Sequence, residues 1–432
     1  MDVRPGYKQT ELGVIPEGWE LVPLPSVVWF QEGPGVRNYQ FTNHGVKLFN
    51  GSNIEDGNVV LDKTDRYISE REAYGVYSHF LADEGDLVIA CSGISVGRFH
   101  EKVSELKAEH LPLCMNTSTM RFKVKSDLLY KDFYKHFLRS QVFKDQISGR
   151  ATGSAQLNFG PAHVNAVLVP LPTRPEQEAI GDTLSDADTF IESLEQLIAK
   201  KRLIKQGAMQ KLLTGKRRLP GFSGEWKSKT FSDLFNISGG LSASRAKLSS
   251  NGYCYLHYGD IHMSNKTFID VKSEFQDIPK LNIPLNKVSS GAFLNDGDIV
   301  FVDASEDDEG ASKHVVVINP GGIPFISGLH TIVAKSKTDE LDHQYRRYCF
   351  QTSAVKNQFR FYAVGTKVTG ISKTNIAKIG LPVPSIPEQI AISEILNDMD
   401  NEIATLETKL TKARQIKQGM LQELLTGRIR LI

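Results

Sequence analysis

The chain contains one long segment twice, and this repeat constrains the fold more than any other feature. Residues 175–219 align without a gap on residues 387–431, at an offset of 212, and 24 of the 45 aligned positions are identical. The identities include Pro-Glu-Gln at the start, Ile-Lys-Gln-Gly in the middle and Leu-Leu-Thr-Gly near the end. A chain that keeps two copies so similar is expected to present one surface twice.

Each copy carries an apolar seam whose members are spaced three and four residues apart. This is the a/d pattern of a coiled coil, and at about 1.5 Å per residue 40 residues form a rod of roughly 60 Å. Proline suits the first turn of each helix, and Gly215 and Gly427 suit its end. The pattern predicts one spacer helix over residues 173–219 and a second over residues 385–432.

Charge predicts how the two helices pair. The first copy has only acidic residues from Glu176 to Glu195 and only basic residues from Lys200 to Arg218. The second copy has the same bias, except at Glu423. Antiparallel pairing brings acidic halves against basic halves, whereas parallel pairing would oppose like charges. The helix dipole favours the same polarity and accounts for part of it.

The repeat extends, more weakly, through the segments before the helices. These segments predict two α/β (α+β) domains, residues 1–172 and 220–384, related with their helices by an internal pseudo-two-fold repeat. Gly and Asp turns bound the predicted buried strands Asp86–Ala90, Ile299–Val302 and Val315–Ile318, and residues 127–148 and 339–361 read as amphipathic helices. The domains share mainly glycines and apolar framework residues. Similar helices therefore indicate identical partners, and dissimilar domains indicate two different ligands.

Composition excludes several classes of protein. The net charge is +1 and no run of 18 apolar residues exists, so a membrane span is not expected. Four scattered cysteines suit reduced thiols and a cytoplasmic location. Cys254 and His257 lack a second pair at zinc-site spacing, so no metal is expected. No Asn-Pro-Pro-aromatic tetrapeptide and no convincing glycine-rich cofactor loop is present, so no catalytic residues and no cofactor are assigned to this chain.

A domain followed by a Pro-Glu-Gln helix that ends in Leu-Leu-Thr-Gly, all in duplicate, resembles the specificity subunit of type I DNA restriction-modification systems. The segments YKQTELGVIPEGW and RRLPGFSGEW, at the entries to the two domains, add to this resemblance. It implies two target recognition domains that each read one half of an interrupted DNA site. It also implies antiparallel spacer helices that determine the gap and dock two methyltransferase subunits, with restriction subunits joining this core. S-adenosylmethionine would bind the methyltransferase, and this subunit would not be catalytic.

Base-edge contacts need polar side chains on loops where glycine lets the backbone approach. Three loops in each domain fit: 33–38, 92–98 and 150–156 in the first, and 240–245, 303–313 and 365–369 in the second. The candidate DNA-binding residues are Arg37, Asn38, Ser95, Arg98, Thr152, Ser154, Gln156, Ser244, Arg245, Lys313, Thr366, Lys367 and Thr369. Ordinary polar turns are the alternative for each of them.

The candidate spacer and partner-docking residues are the motif and seam positions of the two helices. They are Glu176, Gln177, Ile191, Leu194, Gln206, Leu212, Leu213, Glu388, Gln389, Ile403, Leu406, Gln418, Leu424 and Leu425. A coiled-coil scaffold whose globular ends bind proteins is the competing function. It explains the helices but not the paired glycine-rich loops with basic or amide side chains.

Overall fold

The computed structural model describes residues 4–125, 127–150, 156–264, 266–305, 313–365 and 369–431. These residues form two compact units. The first unit comprises the chain up to Gln196 together with Thr408 onward, and the second comprises Leu197–Glu407. Each unit contains one globular domain and part of both long helices.

The first domain is built on an antiparallel sheet in which Thr119–Val124 pairs with both Val28–Glu32 and Leu87–Ala90, and Val103–Glu105 lies at the edge. A second sheet holds Val46–Phe49, Tyr67–Ile68 and Leu113–Met115. The strand pairs are Tyr7–Thr10 with Gly13–Pro16, Glu20–Pro23 with Leu168–Leu171, and Ile54–Glu55 with Asn58–Val59. The α-helices are Leu24–Val27, Glu70–Tyr74, Lys131–Arg139, Gln141–Ser148 and Pro161–Asn165.

The second domain repeats this plan. Thr331–Ser336 pairs with Phe235–Gly239 and Ile299–Val302, and His314–Ile318 and Phe268–Asp270 extend the sheet. The smaller sheet holds Leu248–Ser249, Tyr253–Leu256, Lys280–Leu281 and Phe325–Ser327, and Lys227–Thr230 pairs with Gly380–Val383. The α-helices are Phe231–Leu234, Tyr258–His262, Arg346–Cys349, Ser353–Tyr362 and Lys373–Ile376. The strands expected at residues 86–90, 299–302 and 315–318 are therefore confirmed to within a residue.

The two spacer helices span Arg174–Leu212 and Ile386–Leu424, 39 residues each. The apolar seam faces inward: Ile180, Leu184, Ile392 and Leu396 are buried, as the spacing predicts. Gly215 and Gly427 both have φ of 69°, in the left-handed region that favours glycine, and each follows the last helical turn. The predicted fold class, α/β domains with long helices, is confirmed.

Ion pairs show that the helix segments run antiparallel within each unit. In the first unit Glu176 pairs with Arg430, Asp188 with Lys417 and Glu195 with Arg414, so position rises along one helix as it falls along the other. The second unit repeats the three pairs at equivalent positions, Glu388 with Arg218, Asp400 with Lys205 and Glu407 with Arg202. The charge argument for antiparallel pairing is confirmed inside both units.

Two segments expected to be continuous helices are broken, so that prediction is wrong in detail. In the first domain Ser140 separates two helices, and its hydroxyl accepts a hydrogen bond from Phe143 N at 3.2 Å. In the second domain the Thr352 hydroxyl accepts from Val355 N at 3.3 Å. A mid-segment Ser or Thr acts here as an N-cap, which starts a new helix at an angle that the apolar periodicity does not reveal.

Candidate nucleic-acid interface

The second and third predicted loops of each domain meet as a short two-stranded ribbon. In the first domain Ile94–Ser95 pairs antiparallel with Gln156–Leu157, which places Ser95 directly opposite Gln156. In the second domain Ala304–Ser305 pairs with Thr369–Gly370. Ser95 and Gln156 are both exposed, whereas Thr369 is half-buried. The structure thus brings together candidates that lie about 60 residues apart in the chain.

Asn158 joins the loops of the first domain and was not among the predicted residues. Its side-chain oxygen accepts hydrogen bonds from the Ser92 hydroxyl at 2.9 Å and from Gly93 N at 2.8 Å. In the second domain a backbone hydrogen bond joins the corresponding loops: Ile371 N donates to the Asp303 carbonyl at 2.8 Å. An asparagine directly after a polar loop was the only sequence signal that could have identified the first of these joints.

The first predicted loop lies beside a turn of the same domain. Gly33 N donates to the Thr119 carbonyl at 3.0 Å, and a Cβ at Gly33 would come within 2.4 Å of Asn116 N, so the approach requires glycine. Arg37 and Asn38 follow on the exposed side of this loop. Tyr39 is 86% exposed beside them. An exposed aromatic next to basic and amide side chains is a further candidate that the sequence reading missed.

Three predicted basic residues are already engaged within their domains. Arg98 pairs with Glu101 and, at 2.8 Å, with Asp56. Arg245 pairs with Asp260 at 3.1 Å, and the Lys313 ammonium donates to the His262 carbonyl at 2.6 Å. Contact with DNA would require each to exchange these partners, and their role stays a prediction. Ser244 is exposed, whereas Thr152, Ser154, Thr366 and Lys367 lie outside the described residues.

The Pro-Glu-Gln motif anchors each spacer helix to its own domain. The Glu176 carboxylate accepts from the Trp19 indole N–H at 3.0 Å and pairs with Arg430, and Glu388 accepts from Trp226 at 3.0 Å and pairs with Arg218. The Glu and Gln side chains of both copies of the motif are buried: Glu176, Gln177, Glu388 and Gln389. These residues were predicted as spacer or partner-docking residues. Their burial fits the spacer role and leaves them inaccessible to a docking partner.

In the described part of the chain, the side chains of Gln177 and Gln389 form hydrogen bonds only with backbone groups. The Gln177 amide donates to the carbonyls of Leu128 and Pro172, at 2.8 and 2.9 Å, and its oxygen accepts from Tyr130 N at 2.8 Å. Gln389 repeats the three bonds with Glu340, Pro384 and Asp342, at 2.8, 2.9 and 2.8 Å. Each glutamine therefore fixes the start of its helix through contacts that do not depend on the side chains of the domain.

The other predicted helix residues divide by the direction they face. Leu212, Leu213, Leu424 and Leu425 are buried in the hydrophobic cores of the domains. The seam positions Leu194 and Ile403 are buried, and Ile191 and Leu406 are half-buried. Gln206 and Gln418 are the predicted positions that face outward. Burial explains why the inward residues are alike in the two copies, and it leaves the outward identities unexplained.

An outward strip is identical in both helices and is here named the repeated strip. It contains Ile204, Gln206, Gly207 and Gln210 in the first helix and Ile416, Gln418, Gly419 and Gln422 in the second. Ile204 is 47% and Ile416 is 53% exposed, and a Cβ at either glycine would meet nothing within 4 Å. Among the described residues the four glutamine side chains of the strip make no hydrogen bond that would account for these identities.

A cluster of charged side chains around Asp188 links the long helices to the first domain. Burial acts to raise the pKa of Asp188, but the charges of Lys417 and Arg139 outweigh it and lower that pKa overall. His136 lies fully buried beside this group, and burial lowers its pKa to about 3, so its ring is neutral at pH 7.

Among the described residues no group of three or more His, Cys, Asp or Glu side chains could hold a metal. No described helix is long and apolar enough to cross a membrane.

The duplicated plan matches a known family. The model of the type I restriction modification DNA specificity domain matches residues 16–200 and again residues 223–415. The StySPI specificity subunit of Salmonella potsdam is 22% identical over 96% of this chain and 90% of its own length. The MjaVIII specificity subunit of Methanocaldococcus jannaschii is 30% identical over 213 residues, about half the length of each protein.

A solved structure shows the same fold. The crystal structure of the type I restriction-modification S subunit from M. genitalium superposes with a TM-score of 0.54 at 15% identity, over 98% of both chains. The family match and this likeness agree on two domains, each followed by a long helix. The chain therefore belongs to the type I restriction modification DNA specificity domain family.

Proposed function

We propose that this chain is the non-catalytic DNA-specificity subunit of a type I restriction-modification complex and that each domain reads one half of an interrupted site. The observation that carries the proposal is the pairing of dissimilar domains with near-identical helices. Each domain presents a two-stranded ribbon with polar residues, separate from its central sheet, and the two ribbons differ in sequence. S-adenosylmethionine would bind the partner methyltransferase rather than this chain.

Competition binding tests the reading role. The complex with its methyltransferase partner is expected to prefer one interrupted duplex over a scrambled duplex of equal length by at least about 1000-fold, the lower end for specific DNA-binding proteins. Equal binding to every duplex would instead favour a scaffold that binds proteins. Salt concentration must be fixed, because phosphate contacts make affinity strongly salt-dependent.

The repeated strip is the proposed docking surface for two identical methyltransferase subunits. Identical outward side chains in two copies are what one partner bound twice requires. Each isoleucine lies one turn from the glycine, and the glycine lies one turn from the second glutamine, so the face offers an apolar anchor and, further round the helix, hydrogen-bonding groups. This inference places docking on the C-terminal parts of both helices. Most outward positions nearer their N-termini differ, as at Glu178 and Ile390, although the exposed Asp186 and Asp398 are identical.

Changing Ile204 to Asp is expected to remove one bound methyltransferase subunit, and Ile204→Asp with Ile416→Asp to remove both. Placing a carboxylate at an apolar anchor should weaken each contact by about 30-fold or more, as for residues that dominate binding energy. Native mass spectrometry reads the stoichiometry directly. Phe190→Asp is the matched control, because Phe190 is similarly exposed, at 56%, but lies several turns away from the strip and aligns with Glu402. Two subunits retained by the double variant would contradict the assignment.

The spacer helices are proposed to determine the gap between the two half-sites. Inserting seven residues into both helices keeps the seam in register and adds about 10 Å of helix. The expected result is a changed number of unspecified bases with both specified sequences unaltered, read by methylation-aware sequencing. A four-residue insertion, which breaks the seam, is the control. An unchanged gap would refute the spacing role.

A further inference from the structure

A polar cavity opens in the first domain beside residues that begin or flank the predicted loops. It measures about 370 Å³, and its lining includes Glu32, Ser92, Thr117, Asn158 and His163. Glu32 ends a strand immediately before the first loop, Ser92 lies in the second, and Asn158 follows the third. A site lined by residues that begin or flank candidate DNA-reading loops is placed to contact a duplex bound by those loops.

Glu32 gives this cavity a hydrogen-bond acceptor that no described residue uses. Within the described part of the chain, the Glu32 carboxylate makes no hydrogen bond and no ion pair. Burial raises the pKa of this carboxyl. The neighbouring Cys91 thiol donates to the Thr117 carbonyl at 3.3 Å, and burial raises the pKa of this thiol to about 12, so it remains neutral. A half-buried acceptor without a hydrogen-bond partner lowers the stability of the folded protein, and such unpaired groups are often found at binding sites.

Two neighbours supply donors at the same cavity. His163 Nδ1 accepts from Gly160 N at 3.1 Å, so Nε2 is the ring nitrogen left to donate into the cavity. The Asn158 oxygen is occupied by Ser92 and Gly93, which leaves its NH₂ group without a partner among the described residues. The cavity thus combines one strong acceptor with neutral donors.

This combination discriminates among base edges. In the major groove adenine presents an amino donor beside the N7 acceptor, and cytosine presents an amino donor, whereas guanine and thymine present acceptors at the corresponding atoms. A carboxylate accepts from an amino group and repels a carbonyl oxygen. We propose that Glu32, in this cavity, reads the exocyclic amino group of an adenine or a cytosine in the half-site of the first domain, an inference that rests on the proposed function.

In the second domain the equivalent strand position carries no carboxylate. The strand Val28–Glu32 corresponds to Phe235–Gly239, and the residue at the position of Glu32 is Gly239. The contact is therefore specific to the first domain. Two ribbons of similar geometry but different side chains are what a site with two dissimilar halves requires.

A double-mutant cycle on the assembled methyltransferase complex tests the contact. Each adenine of the first half-site is replaced in turn by purine, and each cytosine by 2-pyrimidinone, because these analogues lack the amino group. At one position the analogue is expected to weaken binding by the wild-type complex about tenfold, since a good base contact provides about this discrimination. The Glu32→Ala complex, which already lacks the contact, is expected to bind the analogue and the natural base at that position almost equally well. The analogue that produces the coupling tells adenine from cytosine.

Glu32→Gln provides a second, isosteric variant should the alanine protein not fold. Its amide can also donate, so the complex is expected to tolerate guanine or thymine at that one position, seen as a relaxed base in the methylated motif. Glu20→Gln, on an exposed strand of the same domain, is the matched control and should leave the motif unchanged. The half read by the second domain should remain strict in every variant.

The outcomes separate the two proposals. If the wild-type complex reads one interrupted motif but Glu32→Ala loses as much as wild type at every substituted position, the Glu32 contact is refuted and the specificity function stands. If the wild-type complex prefers no sequence, both are refuted. Coupling at one position, with the second half intact, supports both.

Discussion

Replacing residues 1–172 with the corresponding domain of a relative that recognises a different sequence is expected to change one half of the methylated motif and leave the other half intact. The old half-site should be disfavoured by about 100-fold or more, because each mismatched base pair costs about 1–3 kcal/mol. Methylation-aware sequencing of the host genome measures both halves at once.

The structure indicates what such an exchange must preserve. Gln177 remains with the helix, and its partners in the domain are backbone groups, so any domain of this fold can supply them. Glu176 needs an indole N–H at the position of Trp19. Exchanging residues 220–384 is the reciprocal control and should change the other half alone. A motif altered in both halves by either exchange would overturn the assignment of one domain to one half.

Changing Arg430 to Ala is expected to lower the free energy of unfolding of the first unit by about 3 kcal/mol. Glu176 is buried, and without Arg430 its carboxylate would keep only the Trp19 N–H as a hydrogen-bond partner in the described chain. Removing one member of a buried ion pair costs about 3–5 kcal/mol, because the other charge is left uncompensated. Denaturant unfolding followed by far-UV circular dichroism measures the loss.

Two controls make this prediction specific. Arg428→Ala removes a neighbouring arginine whose ion pair with Glu423, at 3.4 Å, is exposed, so its effect should be within about 1 kcal/mol. Adding Glu176→Gln to Arg430→Ala removes the stranded charge, keeps an acceptor for Trp19 and should recover much of the stability. Equal destabilisation by the two arginine variants would show that the buried pair contributes no more than the exposed one.

The spacer helices were the most predictable part of the molecule, for a physical reason. A seam repeated over many turns, a closing glycine and segregated charge all indicate one local structure, and each indication is contained in a short stretch of sequence. The pairing of Asp188 with Lys417 follows from the same pattern. The buried strands ending at Ala90 and Val302 were equally local.

What the sequence did not reveal depends on contacts between distant residues. The ribbon that joins Ser95 to Gln156, and the link from Ser92 to Asn158, are made by polar residues in loops without periodicity. Glu176 was predicted as a spacer or partner-docking residue, and nothing in a helical pattern says that an indole 157 residues earlier will cover its side chain. Candidate DNA contacts were therefore identified as loops, while their grouping required the fold.

The make-up of the first unit has a consequence for biosynthesis. The second unit is one uninterrupted stretch, Leu197–Glu407, whereas the first combines the N-terminal residues with those from Thr408 onward. The Tyr7 hydroxyl, for example, donates to the carbonyl of Gly427 at 2.9 Å, across 420 positions of sequence. As the ribosome releases the chain from its N-terminus, the first unit to be translated is the last to be completed. Until the final residues emerge, its share of the apolar seam lacks its native cover, and this is the interval in which the nascent protein most needs protection from aggregation.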